Sequence, residues 1–597
     1  MKQKYAVNQQ LIETLLSWVK SGEIAIPEIQ RPFVWSKVKV RDLMDSLYQG
    51  YPIGYIIAWR NPTVRLKDGS SASGKKILID GQQRVTALTA AILGQPVMDK
   101  TYKRDRITIA FHPIKKQFEV INPAIGKDAA WIHDIAPIIR GDERVSRVVR
   151  TYLDKNPDAI EEEVEDSLET LKAIIKKQIG IIELDGDLPI ETVTEIFIRI
   201  NREGVVLSQA DFAMSKIASN DTYGGNMLRK GIDYFCHLAV SPESYNHIKE
   251  NDIEFVQSEY FSKVAWLRHE SDDLYDPNYS DLLRVAFISE FGRGKLSDLV
   301  SLLSGRNFEK KTFEEEIAES SYARLKKGVL NFINETNFQR FVMIVKSAGF
   351  VHPNMIRSKN ALNFAYVVYL HLRAERANDA TITSAVKKWL VMSLLTSRYS
   401  GSPESTFDYD IRQISERGFQ LYLDDLEAAQ LSDGFWDAGL LQQLNSSSST
   451  NPAFNVYLAA QCHQNAKGFL SKDITIRDMI THQGDVHHLF PADYLKKQNL
   501  SKAIYNQVAN FVYTETATNI RIGNKAPKIY FSELREQCNG GPLKYGAITS
   551  DNALFENLRQ NDIPESIFDM SVENYEEFLE SRRLLISQKL RLYYYSL

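Results

Sequence analysis

Two adjacent histidines, His487 and His488, head a group of side chains suited to hydrolysis of a phosphodiester. A neutral imidazole with a pKa near ~6.5 accepts a proton from water close to neutral pH. A divalent metal neutralises the charge that develops on the phosphate and on the leaving oxygen. We therefore assign His488 as the general base, His487 as a metal ligand and Asn519 as the second protein ligand of that metal.

Other side chains of the same region would support this reaction. Asn510 would brace the connecting loop by hydrogen bonding to its backbone rather than touch the metal. Lys525 or Arg521 would hold the scissile or neighbouring phosphate, and Lys528 would extend the DNA-binding surface. The alternative for the histidine pair is structural, because a strand that ends at Pro491 can carry one packed and one solvated ring. The pair alone favours that alternative, whereas the complete set favours catalysis.

The region around these residues is basic, although the whole chain is not. Residues 486–535 contain seven Lys and Arg against three Asp and Glu, a local charge of +4 in a chain whose net charge is −4. Such a patch binds phosphates without reading bases, and its affinity falls steeply with salt. We therefore expect a nucleic-acid surface to be local rather than spread over the protein.

The elements that must position this set follow from apolar patterning. Residues 486–490 have strand character, a second apolar stretch starts at residue 511, and residues 527–535 have helical spacing. A strand, a long loop, a strand and a helix, in that order, form the layout of a ββα-metal finger. The predicted position of Asn519 is near the start of the helix.

A second candidate site lies near the N-terminus, where an apolar strand over residues 76–79 runs into a helix start. Free backbone N–H groups at such a turn favour an anion, and an arginine could clamp it. The residues of this turn are Asp80, Gly81, Gln82, Gln83 and Arg84. The alternative is a capped strand–helix turn with its glutamines in solvent. Asn201 could reach a phosphate or cap a helix, and spacing does not decide between these roles.

The remaining pattern predicts a multidomain α+β chain of 597 residues. An α/β domain over residues 1–215 begins with an amphipathic helix at 7–20. A helical domain over 216–445 buries its aromatic residues, and a mainly helical C-terminal domain covers 446–597. A Ser-rich linker at 445–452 marks the last boundary.

Composition excludes several classes of protein. The three cysteines form no CxxC motif, so neither a zinc ribbon nor a disulfide framework is predicted. The first residues lack the apolar core of a signal peptide, and no run of about 18 apolar residues suggests a membrane span. We expect a cytoplasmic protein without a membrane partner.

Three N-terminal blocks, residues 27–35, 80–84 and 197–208, resemble the GmrS-like half of GmrSD-type restriction systems, which has a ParB/sulfiredoxin-like core. The resemblance covers roughly the first third of the chain. It implies binding and hydrolysis of a nucleoside triphosphate, linked to the sensing of modified DNA. The nucleotide-binding residues would be Gln30, Arg31, Asp80, Gly81, Gln82, Gln83, Arg84 and Asn201.

The C-terminal order of His488-Leu489-Phe490-Pro491, Asn510 and Asn519 resembles the GmrD-like branch of HNH endonucleases. His487 fills a position that is often Asp or Glu, and a neutral ligand broadens the choice of metal toward Mn²⁺ or Ni²⁺. Because the last motif position is Asn519 rather than histidine, Mg²⁺ is the metal that we expect first.

Together these resemblances predict a type IV, modification-dependent restriction endonuclease that acts in anti-phage defence. Its substrate would be double-stranded DNA carrying glucosylated, hydroxymethylated or methylated cytosine, or a phosphorothioate backbone. A homodimer would make double-strand breaks easier. Two alternatives stay open: a regulatory NTPase that binds DNA without cutting it, and a host-directed toxin nuclease.

Overall fold

The chain folds into two compact units, one built from residues 1–269 and 296–323 and the other from 270–295 and 324–597. The computed structural model describes residues 4–25, 35–60, 76–98, 104–186, 188, 192, 208–218, 220, 222–270, 272, 274–482 and 485–597. Helices predominate over strands, as the predicted multidomain α+β class allows. The predicted boundaries at 215 and 445 do not coincide with this division and stay predictions.

A mixed five-stranded sheet forms the centre of the first unit, in the order β1-β9-β3-β4-β2. The strands of this unit are β1 Tyr5–Leu11, β2 Ile24–Ala25, β3 Tyr55–Arg60, β4 Lys76–Asp80, β5 Val97–Met98, β6 Arg104–Asp105, β7 Ile109–His112, β8 Gln117–Val120 and β9 Gln178–Leu184. Strand β9 runs parallel to β3 and antiparallel to β1, and β4 runs antiparallel to β3. Strands β7 and β8 pair as an antiparallel hairpin, with Ile109 opposite Val120.

Helices cover this sheet with their apolar faces. The α-helices of the first unit are Ile12–Lys20, Lys37–Gln49, Gln82–Leu88, Ala136–Arg140, Val145–Lys155, Glu161–Lys172, Gln209–Ala218, Gly225–Val240, Tyr245–Asn251, Ile253–Val256, Glu259–Val264 and Leu296–Leu303. Leu15, Met44, Val85 and Leu168 come from four of these helices and are fully buried in one apolar cluster. Burial of such side chains contributes about 1.5–3 kcal/mol each.

The first predicted helix is wrong over its N-terminal part. Residues 5–11 form the edge strand β1, and the helix begins only at Ile12. Strand β1 pairs with β9 along its whole length, from Tyr5 opposite Leu184 to Leu11 opposite Gln178. Pairing with a strand that is distant in sequence therefore overrides the local helical spacing.

The strand, turn and helix predicted at residues 76–88 are present. Strand β4 ends at Asp80, and the helix Gln82–Leu88 follows after Gly81. Gly81 has φ of +91°, and a Cβ atom there would lie 3.0 Å from Cγ1 of Ile56. Glycine is needed at this turn both for its positive φ and for the close approach of β3.

The second unit is mostly helical. Its α-helices are Tyr279–Phe291, Glu335–Ser347, Lys359–Ala374, Asp379–Leu395, Pro403–Arg417, Phe419–Gln430, Leu440–Leu444, Pro452–His463, Ile476–Thr481, Ala492–Lys497, Lys502–Tyr505, Thr516–Ile522, Pro527–Cys538, Asp551–Gln560 and Tyr575–Ser596, and the helix Glu315–Phe332 has residues in both units. The prediction that its aromatics form core is confirmed: Phe341 stacks on Tyr366 at 4.5 Å, and Phe364 stacks on Trp389 at 5.2 Å. Within the ranges given above, we find no helix with the length and apolarity needed to cross a membrane.

The Ser-rich segment at 445–452 is hydrogen-bonded to the C-terminal region that follows it. The carbonyl of Ser446 accepts from the backbone N–H of Val508 at 2.8 Å. The carbonyl of Ser447 accepts from the side-chain amide of Asn506 at 2.9 Å. The segment predicted to be a linker is thus fixed to the loop between the two strands of the candidate finger.

Candidate active site

The two histidines lie on one strand of a short antiparallel hairpin. Strand β10, Asp485–His488, pairs with β11, Phe511–Thr514, so that His487 lies opposite Val512 and His488 lies opposite Phe511. The helix Thr516–Ile522 follows β11 directly and carries Asn519. The predicted order of strand, long connection, strand and helix is present. However, this helix was not predicted, because the helical spacing in the sequence begins only at residue 527.

His487 is buried, with 4% of its surface exposed, and its ring lies parallel to that of Phe469 at 6.5 Å. Burial and the neighbouring His488 lower the pKa of His487 to about 4, although the nearby Asn519 side chain opposes the shift. The imidazole is therefore neutral at physiological pH. Its Nε2 atom has no partner in good hydrogen-bonding geometry among the described residues.

A buried polar atom without a partner is costly, and it is usually accounted for by a ligand, an ion or a function. A neutral imidazole nitrogen beside an amide side chain is a donor set that binds a divalent metal. The buried Nε2 of His487 without a hydrogen-bond partner, with the Asn519 side chain nearby, is compatible with the predicted metal site. Among the described residues, no cluster of three or more His, Cys, Asp or Glu side chains is placed to hold a metal ion, and His487 and Asn519 would supply two protein ligands.

His488 has different surroundings from His487. Its Nε2 lies 3.0 Å from Oδ1 of Asn506, and its ring meets that of Phe511 edge-on at 5.0 Å. Burial lowers the pKa of His488, the hydrogen bond with Asn506 raises it, and the charge of Lys496 lowers it, with a net decrease. The ring is therefore neutral near pH 7, as a general base requires. Asn506 was not among the predicted site residues, because it lies in no recognisable motif.

Asn510 makes the backbone hydrogen bonds that were expected of it. Its side chain is fully buried, accepts from the N–H of Phe490 at 2.8 Å and donates to the carbonyl of Phe490 at 3.0 Å. A further bond runs to the carbonyl of Tyr505 at 3.3 Å. Asn510 therefore joins the chain just after β10 to the turn before β11 and fixes the spacing of the two strands.

Lys525 is part of a charged network that the sequence analysis did not predict. Its Nζ lies 2.7 Å from Glu533 and donates to the hydroxyl of Tyr545, which itself donates to Glu533. Lys544 approaches the same carboxylate at 3.3 Å. Lys525 thus has an internal counterion, and its contact with a DNA phosphate stays a prediction.

The other basic residues fall into two groups. Arg521 and Lys528 are exposed, and their side chains are accessible to a phosphate backbone. Arg582 is instead fully buried and donates to the carbonyls of Ala509, Asn561 and Asp562. Its role is to dock the last helix.

The network around Glu533 should be visible in the dependence of stability on pH. Burial raises the pKa of Glu533, but hydrogen bonds from Lys525, Tyr545 and Lys544 outweigh this effect and lower it from 4.5 to about 2. A carboxylate whose pKa is lower in the folded state stabilises the fold above its unfolded pKa, and this contribution is lost as pH falls toward the folded pKa. Glu533→Gln should reduce the free energy of unfolding by about 1–2 kcal/mol near neutral pH and have little effect near pH 2.

Urea unfolding of both proteins at several pH values measures this difference. Glu536→Gln is the matched control, because Glu536 is an exposed residue on the same helix. A difference between wild type and Glu533→Gln that does not vary with pH would contradict the assignment of the network.

The N-terminal turn shows how Arg84 is held. Its guanidinium lies 3.1 Å from Asp80 and donates to the carbonyls of Ile53 at 3.0 Å and Tyr55 at 2.8 Å. Gln82 donates to the carbonyl of Leu78 at 3.0 Å. The hydrogen bonds of Arg84 connect the turn to the start of β3. The nucleotide-binding role of residues 80–84 stays a prediction. The structure does not describe Gln30, Arg31 or Asn201, nor residues 27–34 and 197–207 of the predicted motifs.

Comparison with known proteins identifies the class of the N-terminal part. Residues 12–218 match the family model of the GmrSD restriction endonuclease N-terminal domain. An uncharacterized protein of the archaeon Methanocaldococcus jannaschii is 22% identical to this chain and similar to it over nearly the full length of both, 97% of this chain and 98% of the relative. The predicted resemblance of the N-terminal third to GmrSD proteins is thus confirmed.

Proposed function

We propose that this protein is a modification-dependent restriction endonuclease in which one chain both senses and cuts DNA. The N-terminal match to a restriction endonuclease domain supports the class. The observation that supports the nuclease is the buried imidazole of His487, whose Nε2 has no hydrogen-bond partner among the described residues, next to His488 on the same strand and near the Asn519 side chain. The C-terminal region would be an HNH-type ββα-metal finger, and the N-terminal region would have a ParB/sulfiredoxin-like fold.

In the proposed reaction, the neutral ring of His488 accepts the proton of a water molecule that attacks the phosphorus atom. His487 and Asn519 would hold a divalent cation, with Mg²⁺ expected first and Mn²⁺ or Ni²⁺ as alternatives. When bound, the cation would supply positive charge against the charge developing on the phosphate oxygens. Arg521 and Lys528 bind neighbouring phosphates. Lys525 would bind a phosphate in the same way when it is released from its ion pair with Glu533.

The proposed N-terminal role is the binding and hydrolysis of a nucleoside triphosphate at residues 80–84, together with Gln30, Arg31 and Asn201. This domain would recognise the altered DNA, because the finger engages phosphates and carries no base-reading code. Because only altered double-stranded DNA would be cut, the DNA of the host would be spared. The proposed biological role is therefore anti-phage defence in the cytoplasm. A homodimer would bring two fingers to the two strands.

A digestion experiment tests this proposal directly. DNA of one sequence is prepared unmodified and with each candidate modification, and the purified full-length chain is added with Mg²⁺ and nucleoside triphosphates. Metal-dependent cutting of modified DNA alone is the expected result. Equal cutting of all samples would indicate a toxin nuclease, and nucleotide turnover without cutting would indicate a regulatory NTPase. Asp80→Ala separates the nucleotide role, because it should abolish turnover.

The metal ligand can be tested by a change of donor chemistry. His487→Asp introduces the hard oxygen ligand that is common at this position, and hard oxygen ligands favour Mg²⁺ over Ni²⁺. The ratio of cutting rates in Mg²⁺ and Ni²⁺ should therefore rise by about 10-fold or more. His482→Asp, at an exposed histidine outside the hairpin, should leave the ratio unchanged. An equal ratio in all three proteins would remove His487 from the metal site.

A further inference from the structure

Asn506 connects the candidate base to the Ser-rich segment through two hydrogen bonds. Its Nδ2 donates to the carbonyl of Ser447 at 2.9 Å, and its Oδ1 lies 3.0 Å from Nε2 of His488. A backbone carbonyl only accepts hydrogen bonds, so the nitrogen of the amide must face Ser447. The oxygen of the amide must then face His488.

This orientation determines where the proton of the neutral imidazole lies. The Oδ1 atom of an amide is only an acceptor, so the Nε2 atom that faces it must carry the hydrogen. A neutral imidazole has one N–H group, and the lone pair is therefore on Nδ1 of His488. The ring can accept a proton only through Nδ1.

Asn506 is itself held firmly on both sides. The residues next to it in the chain, Tyr505 and Gln507, make their own contacts: the carbonyl of Tyr505 accepts from Asn510, and Gln507 accepts from Arg583. The neighbouring Ser446 carbonyl accepts from Val508 at 2.8 Å. Rotation of the Asn506 side chain would break the bond to Ser447 and the bond to His488 together.

We propose that Asn506 is a positioning residue that fixes His488 as the Nε2–H tautomer with Nδ1 as the proton acceptor, and that the Ser447 carbonyl sets the orientation of Asn506. The assignment of tautomer rests on hydrogen bonding alone. Its catalytic consequence rests on the proposed function of His488 as general base. Partners that fix the tautomer of a metal-ligating histidine change activity by about 10- to 100-fold when removed, and we expect an effect of similar size for this general base.

Two substitutions of Asn506 distinguish the effect of its hydrogen-bond acceptor from the effect of its side-chain shape. Asn506→Leu keeps the approximate shape and removes the acceptor, whereas Asn506→Asp keeps an oxygen facing Nε2. Gln507→Leu is the matched control, since Gln507 is the next residue and has an amide side chain that bonds to Ala503 and Arg583 instead of His488.

Steady-state cutting by the full-length proteins gives the first readout. Asn506→Leu should lower kcat by about 10- to 100-fold with KM changed by less than about 2-fold, because binding of DNA is not affected. Asn506→Asp should retain more activity than Asn506→Leu, and Gln507→Leu should match the wild type. Wild-type kcat in Asn506→Leu would overturn the proposal.

Nuclear magnetic resonance of the ring carbons and nitrogens gives the second readout, because the two neutral tautomers have different chemical shifts. The chain is labelled at its eleven histidines. The His488 signal is identified by its loss in His488→Gln. Wild type and Asn506→Asp should show Nε2–H, and Asn506→Leu should show a mixture of tautomers.

The two readouts fail separately. An Nδ1–H signal in the wild type would overturn the tautomer assignment even if DNA is cut. If the wild type cuts no DNA, the proposed function fails, and the resonance of His488 alone still decides whether Asn506 sets its tautomer.

Discussion

Replacing His488 with glutamine is expected to lower the rate of DNA cutting by about 100- to 10,000-fold, the usual contribution of a general base. Glutamine approximates the length of histidine and retains a side-chain N–H group that can bond to Asn506. It has no group that accepts a proton near neutral pH. The expected effect is therefore chemical and falls on kcat rather than on the affinity for DNA. Initial rates on supercoiled plasmid, at saturating DNA, measure it.

His482→Gln provides the control for this substitution. His482 lies at the end of the helix Ile476–Thr481, is exposed, and its ring contacts the carbonyl of Asp478 rather than the hairpin. It should cut at the wild-type rate. A rate within about 3-fold of the wild type for His488→Gln would exclude His488 as the base.

The second large effect is expected on stability. In the described part of the chain, Asn510 is the only side chain that hydrogen-bonds to both the N–H and the carbonyl of Phe490. Asn510→Ala leaves these two buried backbone groups without those bonds. Each unsatisfied buried polar group costs about 1–3 kcal/mol. We expect a loss of about 3 kcal/mol in the free energy of unfolding of the second unit, which is a large fraction of typical domain stability.

Urea unfolding followed by circular dichroism measures this loss. Asn539→Ala is the comparison, because Asn539 is exposed at the end of the helix Pro527–Cys538. That variant should change stability by less than about 0.5 kcal/mol. Similar midpoints for the two variants would show that Asn510 does not brace the hairpin.

Local patterning predicted the elements whose signals lie close together in sequence. The turn at Gly81 is encoded by an apolar strand, a glycine and a helix start within about a dozen residues. The aromatic core of the second unit follows from helical spacing alone. Strand β1 could not be found in this way, because its structure depends on pairing with Gln178–Leu184, a strand far away in the sequence.

In the candidate site, too, contacts within a sequence motif were predictable, whereas contacts between distant segments were not. The proximity of Asn519 to His487 and the hydrogen bonds of Asn510 were expected from the order of residues along the motif. The pairing of Lys525 with Glu533 and Tyr545 depends on how the chain turns back after the helix Pro527–Cys538. Asn506 belongs to a short helix-ending turn within the connection between the strands, and no periodicity identifies such a residue.

The hydrogen bonds of the Ser-rich segment determine where this protein can be divided for expression. A fragment that starts at residue 451 would lack the carbonyls of Ser446 and Ser447, which accept from Val508 and Asn506. It would also lack Trp436, whose carbonyl accepts from Ser587 and whose ring lies 6.2 Å from that of Tyr594 on the last helix. A recombinant C-terminal fragment should therefore begin well upstream of Trp436, although composition alone would suggest starting it at the serines.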